Sequence, residues 1–365
     1  MGTTRIALFV GPGSPLKLRE IPRPDPGLGE LLVQVIGCTI CGSDLHTFTG
    51  RRTAPTPSIL GHEILGRIEA FGSDDPASRF DWSGRPLRVG DRVTWSIATS
   101  CGNCWACRDG LPQKCERLLK YGHERFIDRP LGGLAEHCVL AVGTAVFRVP
   151  DGLDDWVACP ANCATATVCG AFRRLGDVVG RSVLVQGAGM LGLTACARAR
   201  SLRAESVIVV DPSHARRTLA RSFGATHATD PSTVAEVVHE VTRGRGVDRA
   251  LELSGANESF LQGLGLLRVG GVYAVLGAVF PSAPVSIVVE TLVKRCLVVM
   301  GIHNYAPEDL AAALDFLERS PGFPFRALVE PAVSLDRASE AFECAITAQS
   351  AGSDVVGVLR AAVQP

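Results

Sequence analysis

The stretch that decides the fold of this chain is Gly-Ala-Gly-Met-Leu-Gly at residues 187–192. It follows a short apolar run at 183–186, which is typical of a buried strand, and it precedes an apolar-rich segment that we expect to be a helix. In this G-x-G-x-x-G spacing Gly187 permits a tight turn, Gly189 lets a pyrophosphate approach the backbone, and Gly192 allows close helix–strand packing. The helix start supplies unpaired N–H groups for phosphates. The stretch therefore predicts a dinucleotide site.

An acidic residue supports this prediction. Asp211 follows the next predicted strand, 206–210, at the distance where a carboxylate accepts hydrogen bonds from an adenosine ribose and repels a 2′-phosphate. This placement favours NAD over NADP. Arg216 lies in the helix that follows and can bind a ribose or a 2′-phosphate, so NADP is not excluded. The alternative is a structural glycine turn with a helix-capping aspartate.

The order of strand-like and helix-like segments along the chain predicts an α/β fold in two domains. The first 150 residues contain short apolar runs between Pro and Gly turns, which favours β-structure, whereas strand-like and helix-like segments alternate from about residue 164. Such alternation predicts a doubly wound parallel sheet. A length of 365 residues exceeds what one hydrophobic core usually organises. A β-like ending is expected at 354–359.

Composition excludes several classes of protein. Lys plus Arg and Asp plus Glu both number 37, so the chain lacks the net positive charge of a nucleic-acid or anionic-membrane binder. No apolar run approaches the length of a membrane span, and the first twenty residues do not resemble a leader. We therefore expect a cytoplasmic protein without a nucleic-acid or membrane partner.

Four of the thirteen cysteines lie within fifteen residues, and they are Cys101, Cys104, Cys107 and Cys115. Four thiolates close a tetrahedral zinc shell and leave no position for water, so this pattern predicts a structural zinc. The alternatives are an iron–sulfur cluster, for which no other signal exists, and free thiols, which rarely cluster in this way.

A second set of metal ligands is spread over three segments. Cys41, His62 and Cys163 together form the one-His, two-Cys set of a catalytic zinc with an open fourth position. Spacing alone leaves this open, because each residue by itself also fits a buried cysteine or a hydrogen-bonded core histidine.

Taken in order, these motifs resemble the zinc-containing alcohol dehydrogenases of the medium-chain dehydrogenase/reductase superfamily over essentially the whole chain. The resemblance implies a GroES-like catalytic domain at 1–163 and 304–365, with a structural zinc lobe at 98–118, and a Rossmann NAD-binding domain at 164–303. It also implies two zinc ions per chain, and a homodimer or homotetramer formed by pairing of edge strands near 297–301.

The resemblance also assigns roles to single residues. Cys41, His62 and Cys163 match the catalytic zinc ligands, Glu63 matches an acid that can transiently ligate the metal, and Asp44 matches a residue that orients a ligand histidine. For the remaining roles, Ser43 and His46 match a proton relay to solvent, Thr167 and Leu191 match contacts to the nicotinamide, and Phe48, Arg52 and Ile97 match the substrate pocket.

The substrate predicted by the resemblance is a primary or secondary alcohol, or the corresponding aldehyde or ketone. Arg52 soon after the relay histidine suits an anionic substrate, although a solvated loop arginine is the alternative. The segments 110–115, 120–124 and 160–163 are similar to a subgroup associated with phosphonate metabolism, which favours a phosphonate-bearing substrate. A polyol or aminocyclitol is the competing prediction.

Two other classes of protein compete with this interpretation. A zinc-independent quinone or enoyl reductase shares the scaffold but needs neither cysteine set. A non-enzymatic zinc protein, structural or nucleic-acid-binding, explains the four-cysteine segment but not the neutral charge or the glycine turn.

Overall fold

Seven strands lie in the first 150 residues, and later strands alternate with helices. The computed structural model describes residues 2–72, 79–279, 282–350 and 359–365. The strands are β1 (Thr3–Leu8), β2 (Lys17–Pro22), β3 (Leu31–Thr39), β4 (Glu63–Phe71), β5 (Arg92–Trp95), β6 (His137–Leu140), β7 (Val146–Arg148), β8 (Ser182–Gln186), β9 (Ser206–Val210), β10 (His227–Thr229), β11 (Val247–Glu252), β12 (Leu267–Val275), β13 (Val298–Gly301), β14 (Val333–Ser334) and β15 (Ala362–Gln364).

The helices are short before residue 160 and, apart from α9, longer after it. They are α1 (Gly42–Phe48), α2 (Trp105–Arg108), α3 (Asp155–Ala158), α4 (Ala164–Leu175), α5 (Met190–Ser201), α6 (His214–Ser222), α7 (Val234–Thr242), α8 (Asn257–Leu266), α9 (Val289–Lys294), α10 (Pro307–Arg319) and α11 (Ala338–Ser350). Among the described residues no helix is both long enough and apolar enough to cross a bilayer.

One sheet joins the two ends of the chain. Its strands run in the order β14-β15-β3-β4-β5-β7, with β6 also paired to β3. The C-terminal strand β15 is antiparallel to β3, where Val363 pairs with Cys38. Because of this pairing, the last residues of the chain lie beside the start of α1.

The other large sheet is parallel and has the order β10-β9-β8-β11-β12-β13. Chain order reverses between β8 and β11, and in such sheets ligands bind at that switch point, outside the carboxyl ends of the strands. The predicted doubly wound parallel sheet is present. The domain limits given above are not tested by these contacts and stay predictions.

The glycine turn connects β8 to α5 at this switch point. Gly187 has φ +94°, a conformation that favours glycine. A Cβ at Gly192 would lie 1.8 Å from the carbonyl oxygen of Gly187, so the close approach of helix and strand requires glycine there. No atom lies within 4 Å of a Cβ built on Gly189, which leaves its backbone open to a ligand.

Local backbone geometry sets the ends of two helices. The helix α5 ends at Ser201, and Arg203 just beyond it has a left-handed φ of 61°. The helix α6 begins at His214, because the Ser213 side chain accepts a hydrogen bond from the Arg216 N–H and so caps the helix. The β-like ending expected at 354–359 lies outside the described residues except for Leu359, and the final strand is β15.

Candidate active site

The predicted catalytic ligands lie at three junctions between secondary-structure elements, and the fold brings these junctions together. Cys41 is the N-cap of α1, His62 directly precedes β4, and Cys163 is the N-cap of α4. The two Sγ atoms are 4.0 Å apart, and Cys163 Sγ is 3.5 Å from His62 Nε2. One ligand atom from each of these residues and from Glu63 lies within 4.8 Å of the others.

The spacing of these atoms fits a zinc ion. With Zn–S of about 2.3 Å and Zn–N of about 2.0 Å, a tetrahedral shell places two sulfurs about 3.8 Å apart and sulfur and nitrogen about 3.5 Å apart. The measured 4.0 Å and 3.5 Å are close to both values. A hydrogen bond from the Cys163 thiol lowers the pKa of Cys41 well below its usual range; burial opposes this shift, and the charge of Arg360 adds to it. A low pKa favours the thiolate that binds metal.

Asp44 fixes the ring of His62. Its Oδ1 lies 3.1 Å from His62 Nδ1, and its Oδ2 accepts a hydrogen bond from the Cys41 N–H. Burial lowers the pKa of His62, but the Asp44 carboxylate outweighs it and raises that pKa to about 10. Because Nδ1 faces Asp44, Nε2 is the nitrogen that points toward the two cysteines.

Glu63 is fully buried and is held by Thr39, at the end of β3, and by Arg360, which precedes β15. Thr39 Oγ1 donates to its Oε2 at 2.6 Å, and the Arg360 guanidinium donates to both carboxylate oxygens. Burial raises the pKa of Glu63, and the neighbouring charge of Arg360 lowers it in opposition. Sequence reasoning missed Arg360, and the only signal was that it closely precedes a final apolar segment.

The predicted relay residues lie on α1. Ser43 Oγ is 3.4 Å from His62 Nε2, and His46, one turn further along, lines the same cavity. Partial burial and the positive charge of Arg51 lower the pKa of His46. A histidine in this state accepts a proton and passes it on near neutral pH.

The metal ligands and the glycine turn line one cavity of about 730 Å³. Of the residues predicted to contact cofactor or substrate, its wall includes Arg52, Ile97, Thr167, Gly189, Leu191, Gly192 and Arg216. Gly187 and Asp211, predicted for the cofactor, and Phe48, predicted for the substrate, do not line it. Phe48 packs in the core against Phe342, with ring centroids 4.7 Å apart, because the apolar face of α1 turns toward α11. The prediction of Phe48 as a pocket residue is corrected accordingly.

Asp211 directly follows β9 and is almost fully buried. Its carboxylate accepts hydrogen bonds from the N–H groups of Ala188, in the glycine turn, and Ser213. Arg216 Nη1 is 4.0 Å from the same carboxylate, and its side chain is 37% exposed. The acid thus anchors the glycine turn, and its role toward a ribose stays a prediction.

The four clustered cysteines form a separate group. Their sulfurs lie within 4.8 Å of one another, with Cys104 3.5 Å from Cys107 and 3.9 Å from Cys115. Backbone N–H groups near Asn103 lower the pKa of Cys101 to about 6, which favours a thiolate. The geometry suits a closed zinc shell.

Comparison with known proteins agrees with this geometry. The zinc-binding dehydrogenase model matches residues 191–319, and the alcohol dehydrogenase GroES-like domain model matches residues 27–151. L-threonine 3-dehydrogenase of Deinococcus deserti is 32% identical over 341 residues, which are 91% of this chain and 92% of that protein. The 5-exo-hydroxycamphor dehydrogenase of Pseudomonas putida is 32% identical over 339 residues, 89% of this chain and 91% of the relative.

A solved structure shows the same fold. The crystal structure of an alcohol dehydrogenase from Thermotoga maritima matches with a TM-score of 0.91 and 30% sequence identity, and the match covers 100% of both chains. The chain therefore belongs to the zinc-containing medium-chain dehydrogenase family. The predicted family and the predicted α/β class, with a GroES-like part and a Rossmann sheet, are confirmed, and the chain is an oxidoreductase.

Proposed function

We propose that this chain is a zinc-dependent alcohol dehydrogenase or carbonyl reductase that transfers a hydride between NAD(H) and an alcohol, aldehyde or ketone. One observation carries the proposal: Cys41, His62 and Cys163 face the same cavity as Gly189 at the dinucleotide turn. A reacting carbon held at the ligand cluster therefore shares one enclosed space with a nicotinamide ring.

The cofactor site is proposed to use both ends of that cavity. The open backbone of Gly189 and the N-terminus of α5 suit the pyrophosphate, since unpaired N–H groups point at it. Thr167 and Leu191 line the same cavity as the ligand cluster and would support the nicotinamide. Asp211 favours NAD, and Arg216 beside it keeps NADP use open.

A zinc ion held by Cys41, His62 and Cys163 would supply Lewis-acid polarisation of the substrate oxygen. The other tasks belong to side chains. Asp44 holds the His62 ring in one orientation through its bond to Nδ1. The Ser43 hydroxyl would accept the proton of the substrate hydroxyl while its own proton moves on toward His46, which releases it to solvent. Buried Glu63 adds a negative charge beside the cluster, balanced by Arg360.

The four-cysteine cluster is proposed to hold a second zinc. Its donor set is complete with four sulfurs, so that ion has no open position for substrate and organises the segment 98–118. We therefore propose two zinc ions per chain.

The substrate is proposed to be an alcohol or carbonyl compound. Arg52 in the cavity wall supports an anionic substrate, of which a phosphonate-bearing aldehyde or alcohol is one form, over a polyol or aminocyclitol. We also propose a homodimer or homotetramer, because edge strand β13 exposes Val298 (48%) and Val299 (40%).

The decisive experiment is a dehydrogenase assay of the zinc-replete protein with NAD+ and NADP+ across simple alcohols, polyols and hydroxy acids, followed by the absorbance of the reduced nicotinamide. We expect turnover with NAD+ that is lost in Cys163→Ala. The matched control is Cys169→Ala, a buried cysteine of α4 outside both clusters, which should keep turnover. Full activity in Cys163→Ala protein proven to lack the metal would disprove the proposal.

A further inference from the structure

Two positive side chains from distant segments line the cavity beside the ligand cluster. Arg52 follows α1, whereas Lys120 follows the four-cysteine segment. Both side chains are partly buried. Within the described residues neither Arg52 nor Lys120 forms a salt bridge, and the Lys120 ammonium makes no hydrogen bond.

The carboxylates on the cavity wall, Glu330 and Glu340, form no salt bridge with Arg52 or Lys120. Glu124 accepts a hydrogen bond from the Lys120 backbone N–H at 2.8 Å but forms no salt bridge with its ammonium. Glu340 on the cavity wall is paired with Arg337. Close to the cluster, Glu63 is neutralised by Arg360. The described part of the chain thus supplies no counter-ion to Arg52 and Lys120.

The charges of Arg52 and Lys120 influence each other and the same part of the cavity. Burial lowers the pKa of Lys120, and the charge of Arg52 lowers it further, because two like charges face each other. Both cations also act on His303 across the cavity: burial, together with Lys114, Lys120 and Arg52, lowers the pKa of His303 to about 4. His303 is therefore neutral at pH 7, and the positive charge of this region resides on lysine and arginine.

A further polar side chain in this segment lacks a partner. His123 is 8% exposed, and neither ring nitrogen has a hydrogen-bond partner within the described residues. Its ring centroid is 5.1 Å from that of His62. His123 does not line the cavity, so the case for a ligand there rests on the two wall cations, because leaving partly buried polar groups without partners is costly.

We infer that the substrate carries an anionic group, a carboxylate or a phosphonate, which Arg52 and Lys120 bind while the reacting carbon lies at the Cys41–His62–Cys163 cluster. The inference rests on the proposed function and names its substrate class. The redox step is unchanged: the alcohol carbon gives a hydride to NAD+, and the hydroxyl gives its proton to the relay. Arg52 binds two oxygens at once and fixes orientation, while Lys120 contributes a point charge.

The first test measures binding without turnover. Methylphosphonate and acetate are titrated by calorimetry into zinc-replete protein saturated with NAD+. We expect binding that Lys120→Met and Arg52→Gln each weaken about 10- to 100-fold, the usual effect of losing a charge-assisted hydrogen bond. Arg51→Gln is the matched control, because Arg51 is the exposed neighbour of Arg52 and lies outside the cavity wall. No binding to the NAD+-saturated protein, or binding that neither Lys120→Met nor Arg52→Gln weakens, overturns the inference.

The second test compares substrates that differ only in charge. The kcat/KM for 3-hydroxybutyrate is divided by that for its methyl ester, and the kcat/KM for 2-hydroxyethylphosphonate by that for its dimethyl ester. We expect a preference for at least one anion, which identifies carboxylate or phosphonate, and its loss in Lys120→Met but not in Arg51→Gln. Oxidation of both esters without any preference for the anions refutes the inference and leaves the proposed function standing. Absence of turnover with every alcohol counts against the proposed function, and anion binding then still decides the inference.

Discussion

Arg360 donates two hydrogen bonds to the carboxylate of Glu63, from Nε to Oε2 at 2.8 Å and from Nη2 to Oε1 at 3.0 Å. The same guanidinium lies 3.7 Å from Cys41 Sγ. Both partners of the ion pair are buried, and 297 residues separate them in sequence. The C-terminal segment therefore completes the electrostatics of the ligand cluster, because it brings the cation that balances a buried carboxylate and a thiolate.

Replacing this arginine should destabilise the protein. In Arg360→Met the Glu63 carboxylate is left buried without its cation, and breaking one side of such a pair costs about 3–5 kcal/mol. We expect the urea midpoint to fall with an unchanged slope, and the metal content to fall with it.

The control is the double variant Arg360→Met/Glu63→Gln. It removes both charges, so it should recover most of the lost unfolding free energy, since a buried pair replaced on both sides is nearly neutral. An additive loss in the double variant would mean that the two residues do not act as a pair.

Metal analysis separates the two cysteine clusters. Cys41→Ala removes one sulfur from the set that faces the cavity, and we expect the variant to hold one zinc fewer than the parent and to lose turnover. NADH binding, followed by fluorescence, should persist because the glycine turn lies in the other sheet. Unchanged zinc content in Cys41→Ala would contradict the ligand assignment.

The nucleotide half of the site could be predicted from sequence because its chemistry is local. Gly187, Gly192 and Asp211 obey backbone rules that act over about 25 residues, and the structure adds only the bonds from Ala188 and Ser213 to the carboxylate. The pairing of β15 with β3, by contrast, joins residues more than 300 positions apart. Local patterns do not encode such contacts.

The residues that line the proposed substrate site could likewise be predicted only in part, because some of them come from distant segments. Arg52 could be named because it closely follows the relay segment, but Lys120 gains meaning only when the four-cysteine segment folds back to the cavity. The sequence also does not show that Phe48 packs in the core, because its position along the turn of α1 decides whether a side chain faces the cavity or the core. It faces Phe9 and Phe342 in the core.

Cofactor preference should depend on Asp211. In Asp211→Gly the negative charge that repels a 2′-phosphate is lost, and Arg216 nearby becomes free to pair with that phosphate. We expect the ratio of kcat/KM for NAD+ to that for NADP+ to fall about 10-fold or more, the effect of roughly one charge-assisted hydrogen bond. Adding Arg216→Gln should reverse part of the gain with NADP+. An unchanged ratio in Asp211→Gly would exclude the residue as the determinant.

The four-cysteine cluster should be needed for local order rather than for chemistry. In Cys107→Ser the closed sulfur set loses one member, and we expect one zinc fewer by native mass spectrometry while the ion at the other cluster is kept. Because metal binding energy is folding energy for such a segment, limited proteolysis should cleave between residues 98 and 118, and thermal inactivation should come several degrees earlier. Cys138→Ala, which alters a buried cysteine outside both clusters, is the control for loss of a thiol alone. Immediate loss of turnover at low temperature, with the other zinc still bound, would instead give this cluster a direct part in the reaction.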